Sequence, residues 1–275
     1  MLQVQIRDGV AAVDIDNPPI NLLTMPLVRE LAQVAGQLAG DPDVRVVVLG
    51  SSNPNFFIAH FDVEAILRFP TGGPAERDDE LNVLHATCEQ FRTMPKATIA
   101  KIGGRVGGGG SELAASCDMR FGAIGRTVVN QMEVALGILP AGSGTQRLPR
   151  LVGRGRSLEM ILGCDDVDAV TAERWGYLNR ALPPDELDPF VERLARRIAS
   201  FPPSAVARAK QSVLNAERDP HEELVEEAFL FQELLRRPES VAAMRRFLTL
   251  GGQTPEAEMR MGELCADMAS PPAQP

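Results

Sequence analysis

The sequence predicts an α/β protein with a helical C-terminal region, and three observations carry that reading. Short apolar strands alternate with helical patterns from the N-terminus to about residue 182. From Glu186 onward the pattern is almost wholly helical, broken at Pro202-Pro203 and Pro238. Within the first of these regions, Gly107-Gly108-Gly109-Gly110-Ser111-Glu112-Leu113 places four glycines between an apolar strand and an apolar helix, which is no setting for a flexible linker. The division expected is a core over residues 1–200, a helical region over 201–268 and a flexible tail over 269–275.

Leu2–Ile6 and Val10–Ile15 alternate around Asp8-Gly9 as a hairpin. Thr24 caps a helix over Met25–Ala39, with Pro26 tolerated in its first turn. Val44–Leu49 reads as a buried strand, Phe56–Asp62 as an apolar turn, and Val63–Phe69 as a short helical segment. The Pro-, Gly- and charge-rich stretch Pro70–Asp79 is a mobile loop, followed by a helix over Glu80–Thr93 and a strand over Ala97–Ile102. After the glycines come a short helix, strands near Met119–Phe121 and Thr127–Asn130, and a loop over Leu139–Gly144. Helices follow around Thr145–Leu151 and Ser157–Leu162; Thr171 caps Ala172–Trp175, and Leu178–Ala181 closes as a strand.

Apolar residues make up 44% of the 275, an ordinary globular composition, and the formal charge of −9 argues against nucleic acid as a partner. Cys88, Cys117, Cys164 and Cys265 are scattered as in a reducing compartment, and His60, His85 and His221 stand far apart, so a metal site has no support. There is no signal-peptide h-region and no apolar run of membrane-spanning length, so a cytoplasmic protein is expected.

The glycine run does not fit G-x-G-x-x-G or G-x-x-x-x-G-K-[ST], which sets aside dinucleotide and P-loop chemistry. Bare backbone at a helix start instead offers N–H donors to an oxyanion, with a carboxylate beside them to move a proton. Glu112 pairs with Glu133, 21 residues on. Glu133 sits among Met132, Val134, Ala135 and Leu136, so its pKa should be raised; Glu112, at a helix N-terminus, should stay ionised. Two carboxylates with separated pKa values are the signature of divided acid/base work.

Ala59-His60-Phe61-Asp62, Gly108–Ala114, Cys117-Asp118 and Pro140–Leu148 resemble segments of the crotonase (enoyl-CoA hydratase/isomerase) superfamily, in the family's order over about residues 2–250. The resemblance implies a right-handed ββα spiral with C-terminal helices building a trimer or a dimer of trimers. It implies a coenzyme A thioester as ligand and no separate cofactor or metal. The oxyanion-hole amides fall on Ala59 and Gly109, the acid/base pair on Glu112 and Glu133, and ligand contacts on Phe57, His60, Phe61, Asp62, Gly108, Ala141 and Gly142. In the hydratase branch Glu112 would activate a water for the β-carbon and Glu133 would protonate the α-carbon.

The sequence departs from the family at His60, where glycine is usual, at Met132 and Ala141, and by one extra residue between Asp118 and Glu133. His60 is expected to turn towards the coenzyme or solvent. No lysine precedes Phe56-Phe57 and none follows Lys210; Arg245 and Arg246 are substitutes for phosphate contacts. Three readings stay open: an enoyl-CoA hydratase, another reaction of the fold (isomerase, dehydratase or hydrolase), and a silent acyl-CoA-binding or oligomer-forming subunit. Phe69 and Leu84 are candidates for an acyl pocket, and Phe229, Phe231 and Phe247 for burial against a neighbouring subunit or the spiral.

Overall fold

A computed structural model describes residues 1–217 and 221–269. The chain begins with β1 (Leu2–Arg7) and β2 (Val10–Ile15), joined through Asp8 and Gly9, both at positive φ as the tight hairpin requires. Then come α1 (Met25–Gly40), β3 (Val46–Ser51), β4 (Phe56–Ile58), α2 (Val63–Ile66) and α3 (Val83–Thr93). The middle holds β5 (Ala97–Ile102), β6 (Arg105–Gly107), α4 (Gly108–Ser116), β7 (Met119–Ala123), β8 (Val128–Asn130) and a 3₁₀ turn at Glu133–Leu136. Next are α5 (Gly144–Val152), α6 (Arg154–Gly163), β9 (Val167–Asp168), α7 (Ala169–Trp175) and β10 (Arg180–Leu182). The remainder is helical: α8 (Pro184–Ala199), α9 (Pro203–Leu214), α10 (His221–Leu235), α11 (Pro238–Thr249), α12 (Pro255–Glu258) and α13 (Met261–Ala269).

The strands form two sheets, ordered β1-β2-β3-β5-β7-β10 and β4-β6-β8-β9. After the antiparallel β1–β2 hairpin, the larger sheet is parallel throughout. The chain gives one strand to each sheet per turn (β3 then β4, β5 then β6, β7 then β8) before a helix returns it. This is a repeated ββα spiral. Its inner strands are buried on both faces, and β3 accordingly reads Val46-Val47-Val48-Leu49 without alternation. Asn21 ties the layers together, its buried amide nitrogen reaching Ser51 Oγ at 2.7 Å and the carbonyls of Phe57 and Phe56 at 3.1 and 3.2 Å.

Sequence expectation and structure differ where strands are short. β4, β6 and β9 belong to the second sheet with β8, yet Phe56–Asp62 reads as a turn and Arg105–Gly107 merges into the glycine run. With three, three and two residues they carry too little periodicity to declare themselves. Helix α3 starts at Val83 rather than Glu80 because Asn82 accepts the His85 N–H at 2.9 Å as its cap. Helix α7 is capped by Asp168, which accepts the N–H of Thr171, so Thr171 is not the cap. The expected tail lies, beyond Ala269, outside the described residues.

Three apolar clusters hold the layers. One joins α1, α3 and α4 to the larger sheet through residues such as Leu27, Leu31, Phe91 and Leu113. A second seats Leu187, Val191, Ala195 and Ala199 of α8 on the sheet's other face, against Val46, Val48, Ile99 and Phe121. The third brings Leu235, Met244, Phe247 and Leu264 of the C-terminal helices onto Val63, Ile66, Met132 and Leu136 of the spiral. The helical region thus caps its own protomer.

Helix α4 is buried along its whole length. Its C-terminal end is held by Arg120, whose Nη1 donates to the Cys117 carbonyl at 2.7 Å and whose Nε donates to the Tyr177 carbonyl at 2.7 Å. Its N-terminal end lies so close to β4 that a Cβ at Gly110 would stand 2.5 Å from Ile58 Cβ and 2.8 Å from the Ile58 carbonyl oxygen. Gly110→Ala is therefore expected to destabilise the fold by about 1–3 kcal/mol, the usual cost of overpacking. A denaturant titration checks this; an unchanged midpoint would show that α4 and β4 are not in this contact.

Candidate active site

The N-terminus of α4 opens onto a cavity of about 440 Å³. Gly109, Glu112, Glu133, Phe61, Ala141 and Gly142 meet at its walls. Apolar side chains complete it: Phe69 and Leu84, as the sequence suggests, with Ile66 and Ile138 from the spiral and Phe231 and Leu235 from α10.

Glu112 is 2% exposed and sits in the second turn of α4, not at its first residues. Its Oε1 accepts the N–H groups of Gly142 at 2.8 Å and Gly144 at 2.6 Å, leaving Oε2 for the cavity. Burial, and then the charge of Glu227, push its carboxyl up to about 8, outweighing the two amides and the Arg147 guanidinium. The expectation of an acid kept ionised by the helix end is thus corrected: Glu112 lies too far along the helix and too deep.

Glu133 enters from the 3₁₀ turn after β8. Its carboxyl is buried, and among the described residues its Oε2 has no hydrogen-bond partner. Burial, followed by the charge of Glu112, holds it well above the usual carboxylate range. The apolar company read from the sequence is therefore real, and the two acids titrate as an interacting pair. Gly108, at φ +44°, belongs to this arrangement: a Cβ there would stand 2.8 Å from Glu133 Oε1. It makes room for the acid and does not itself line the cavity.

The oxyanion donor expected at Ala59 is corrected. The Ala59 N–H donates to the Ile20 carbonyl at 3.2 Å and is spent inside the fold. Two residues on, Phe61 pairs with Leu23 through its neighbours: Leu23 N–H donates to the His60 carbonyl at 2.8 Å and Asp62 N–H to the Leu23 carbonyl at 3.1 Å. In a parallel bridge this turns the Phe61 N–H to the opposite side. Among the described residues it meets no acceptor, and neither does Gly109 N–H, an orphan donor of the first turn of α4. A Cβ on Gly109 would lie 3.5 Å from that of Phe61, so the two residues adjoin.

Three further ligand contacts expected from the sequence fall elsewhere. Phe57 is fully buried in the main core. Asp62 caps α2 by accepting the Glu64 N–H at 3.0 Å and also accepts from Gln253 Nε2 at 3.2 Å. His60 turns away from both the cavity and solvent. It is 2% exposed, with Nε2 2.9 Å from Glu258 Oε1 and Nδ1 2.7 Å from the Phe61 carbonyl. Burial lowers its pKa, but the charge and hydrogen bond of Glu258 outweigh that and raise it above the usual value.

Sequence reasoning missed Glu227, whose carboxylate lies beside that of Glu112. A signal was present, because a glutamate at 227 interrupts the apolar stripe Leu224, Ala228, Phe231 and Leu235 and must be buried with it.

Comparison with known proteins agrees with this architecture. The family model described as enoyl-CoA hydratase/isomerase matches residues 5–249. A short-chain-enoyl-CoA hydratase of Clostridium acetobutylicum is 32% identical over 74% of this chain and 77% of its own length. A crotonyl-CoA hydratase of Syntrophomonas wolfei is 34% identical over the same shares. Among solved structures, a Streptomyces avermitilis protein provisionally named an enoyl-CoA hydratase superposes with a TM-score of 0.88, at 39% identity and over 98% of each chain. The spiral and its buried acids define an α/β protein of the crotonase fold. The chain belongs to the enoyl-CoA hydratase/isomerase family.

The raised carboxyls have a consequence for stability. In the unfolded chain Glu112 loses its proton near 4.5; in the fold it keeps it to about 8. Between these values the folded state binds more protons, so stability falls as pH rises and the full cost is present above about 8. Glu112→Gln keeps an acceptor for both amides and removes that cost. Its melting temperature should exceed that of the parent protein by a margin that grows from about pH 5 to about pH 8. A margin independent of pH would contradict the raised pKa.

Proposed function

We propose that this protein is an enoyl-CoA hydratase, adding water reversibly across the conjugated double bond of a 2-enoyl-CoA thioester. One observation carries the reading: two buried carboxyls and two adjoining unpaired amides share the walls of one apolar cavity. The names of the relatives support the substrate class.

The N–H groups of Phe61 and Gly109 take the thioester oxygen. As the water oxygen attacks the β-carbon, negative charge moves onto that oxygen as an enolate, where preorganised donors are worth a few kcal/mol each. Glu112 acts as the base: Oε1 is tied to the amides of Gly142 and Gly144, and Oε2 takes the proton from the attacking water. A carboxyl pushed up to about 8 is well matched to this work near neutral pH. Glu133, whose proton is held well above the usual carboxylate range by burial, gives it to the α-carbon as the enolate collapses. Water's OH is then on the β-carbon and a proton on the α-carbon. Passage of one proton from Glu112 to Glu133 restores the pair.

Trimer or dimer-of-trimers assembly belongs to the same proposal. Helix α9 supports it: it has no fully buried residue, and Val213 is 70% exposed.

Loss of the conjugated thioester absorbance of crotonyl-CoA tests the reaction, and either Glu112→Gln or Glu133→Gln should lower kcat by ~10²–10⁴-fold with little change in KM. Appearance of that absorbance from a 3-enoyl-CoA, without its loss from crotonyl-CoA, would make the protein an isomerase instead. The acid limb of kcat/KM should rise through about pH 8 as Glu112 deprotonates, and a rise centred near ordinary carboxylate values would remove Glu112 as the base.

A further inference from the structure

The turn before α5 binds two carboxylates at once. The amides of Gly142 and Gly144 donate to Glu112, while those of Ser143 and Thr145 donate to Glu227 at 2.7 and 3.0 Å. Four consecutive N–H groups thus alternate between two acids on opposite sides of one backbone. Ser143 is held at φ +93°, a left-handed conformation that a serine adopts at a cost of about 1 kcal/mol or more. The hydroxyl of Thr145 also donates to Glu227. His85 completes the grip: its Nδ1 accepts from Asn82 Nδ2 at 3.0 Å, so its Nε2 carries the hydrogen donated to Glu227 at 2.9 Å.

Glu227 belongs to α10, which also places Phe231 and Leu235 on the cavity wall. We propose that Glu227 is the positioning residue for Glu112. It holds the Gly142–Thr145 turn in the conformation that aims the remaining two amides at the base, and it makes that geometry depend on the seating of α10 over the cavity.

This rests on the role given to Glu112 above, and it adds a requirement that the acid/base pair alone does not. Glu227 touches no part of the proposed substrate. It acts through the turn and through its charge, which raises the proton affinity of Glu112. The other ionisable groups facing Glu112 are Glu133 from the 3₁₀ turn, Arg147 from α5, Cys88 from α3 and Tyr177 after α7. Those facing Glu227 are His85 from α3 and the two glutamates of the pair.

Glu227→Gln tests the proposal in the full chain by two readouts. In hydration of crotonyl-CoA, kcat should fall ~10-fold or more while KM stays within ~3-fold, as expected when a charged acceptor of two amides is lost outside the ligand site. In an infrared titration of isotopically labelled glutamate carboxyls, with Glu112→Gln identifying the band, the Glu112 midpoint should move to lower pH because a neighbouring negative charge is gone. An unmoved midpoint in the folded variant overturns the proposal, whether or not kcat falls, since Glu112 would then sense neither the charge of Glu227 nor the turn it holds. If Glu227→Gln fails to fold, Thr145→Val keeps the charge and removes one donor. It should lower kcat ~3-fold or more at constant KM, and unchanged kcat would overturn the proposal. Should the parent protein not hydrate the thioester at all, the reaction assigned above fails, and the infrared midpoint still decides the role of Glu227.

Discussion

The site depends on one turn of backbone, Gly142–Thr145, shared between two glutamates. Backbone amides cannot rotate independently, so alternate N–H groups point to opposite sides, and each side is filled by a carboxylate. Neither acid can move without disturbing the donors of the other. The geometry leaves no room for side chains at Gly142 and Gly144, where a Cβ would stand 2.6 and 2.7 Å from the Glu112 oxygens. The same crowding sets the proton affinity: burial and a charged neighbour push the Glu112 carboxyl up to about 8, which suits the role of base proposed for it.

The C-terminal helices are part of this machinery. Through Glu227, α10 reaches under the turn that holds Glu112; through Glu258, α12 reaches under the segment that carries Phe61. His60 joins the second arrangement as a buried imidazole between Glu258 and the Phe61 carbonyl, with its ring edge-on to Phe247 at 5.6 Å between centroids. The helical region therefore braces both halves of the site from behind while α10 lines the cavity in front. A residue that departs from the family pattern becomes a strut, and the Phe61 segment acquires a second anchor in the C-terminal helices.

Much of this was legible in the sequence, and the failures have physical causes. The long elements announced themselves through period and caps: Thr24 before α1, and the unbroken valines of β3. Of the second sheet only β8 did, because strands of two and three residues are fixed by tertiary pairing and carry almost no pattern. Glu112 and Glu133 stood out as candidates because acids contrast with glycine and apolar neighbours, and the fold brings both to one cavity. That the Ala59 amide is spent on the Ile20 carbonyl could not be read from the sequence, since the neighbouring bridge from Phe61 to Leu23 joins residues 38 positions apart. Helix-end electrostatics suggested an ionised Glu112, and the desolvation of a fully buried α4 overrode it. Glu227 lay on a visible apolar stripe, but its partners sit more than eighty residues away.

The most direct test is a crystal structure of the Glu112→Gln protein with crotonyl-CoA bound. The thioester oxygen should lie within hydrogen-bond distance of both Phe61 N and Gly109 N, with the β-carbon facing residue 112 and the α-carbon facing Glu133. A thioester oxygen held by any other pair of groups, or an acyl chain lying outside the cavity walled by Phe69, Leu84 and Phe231, would contradict the account.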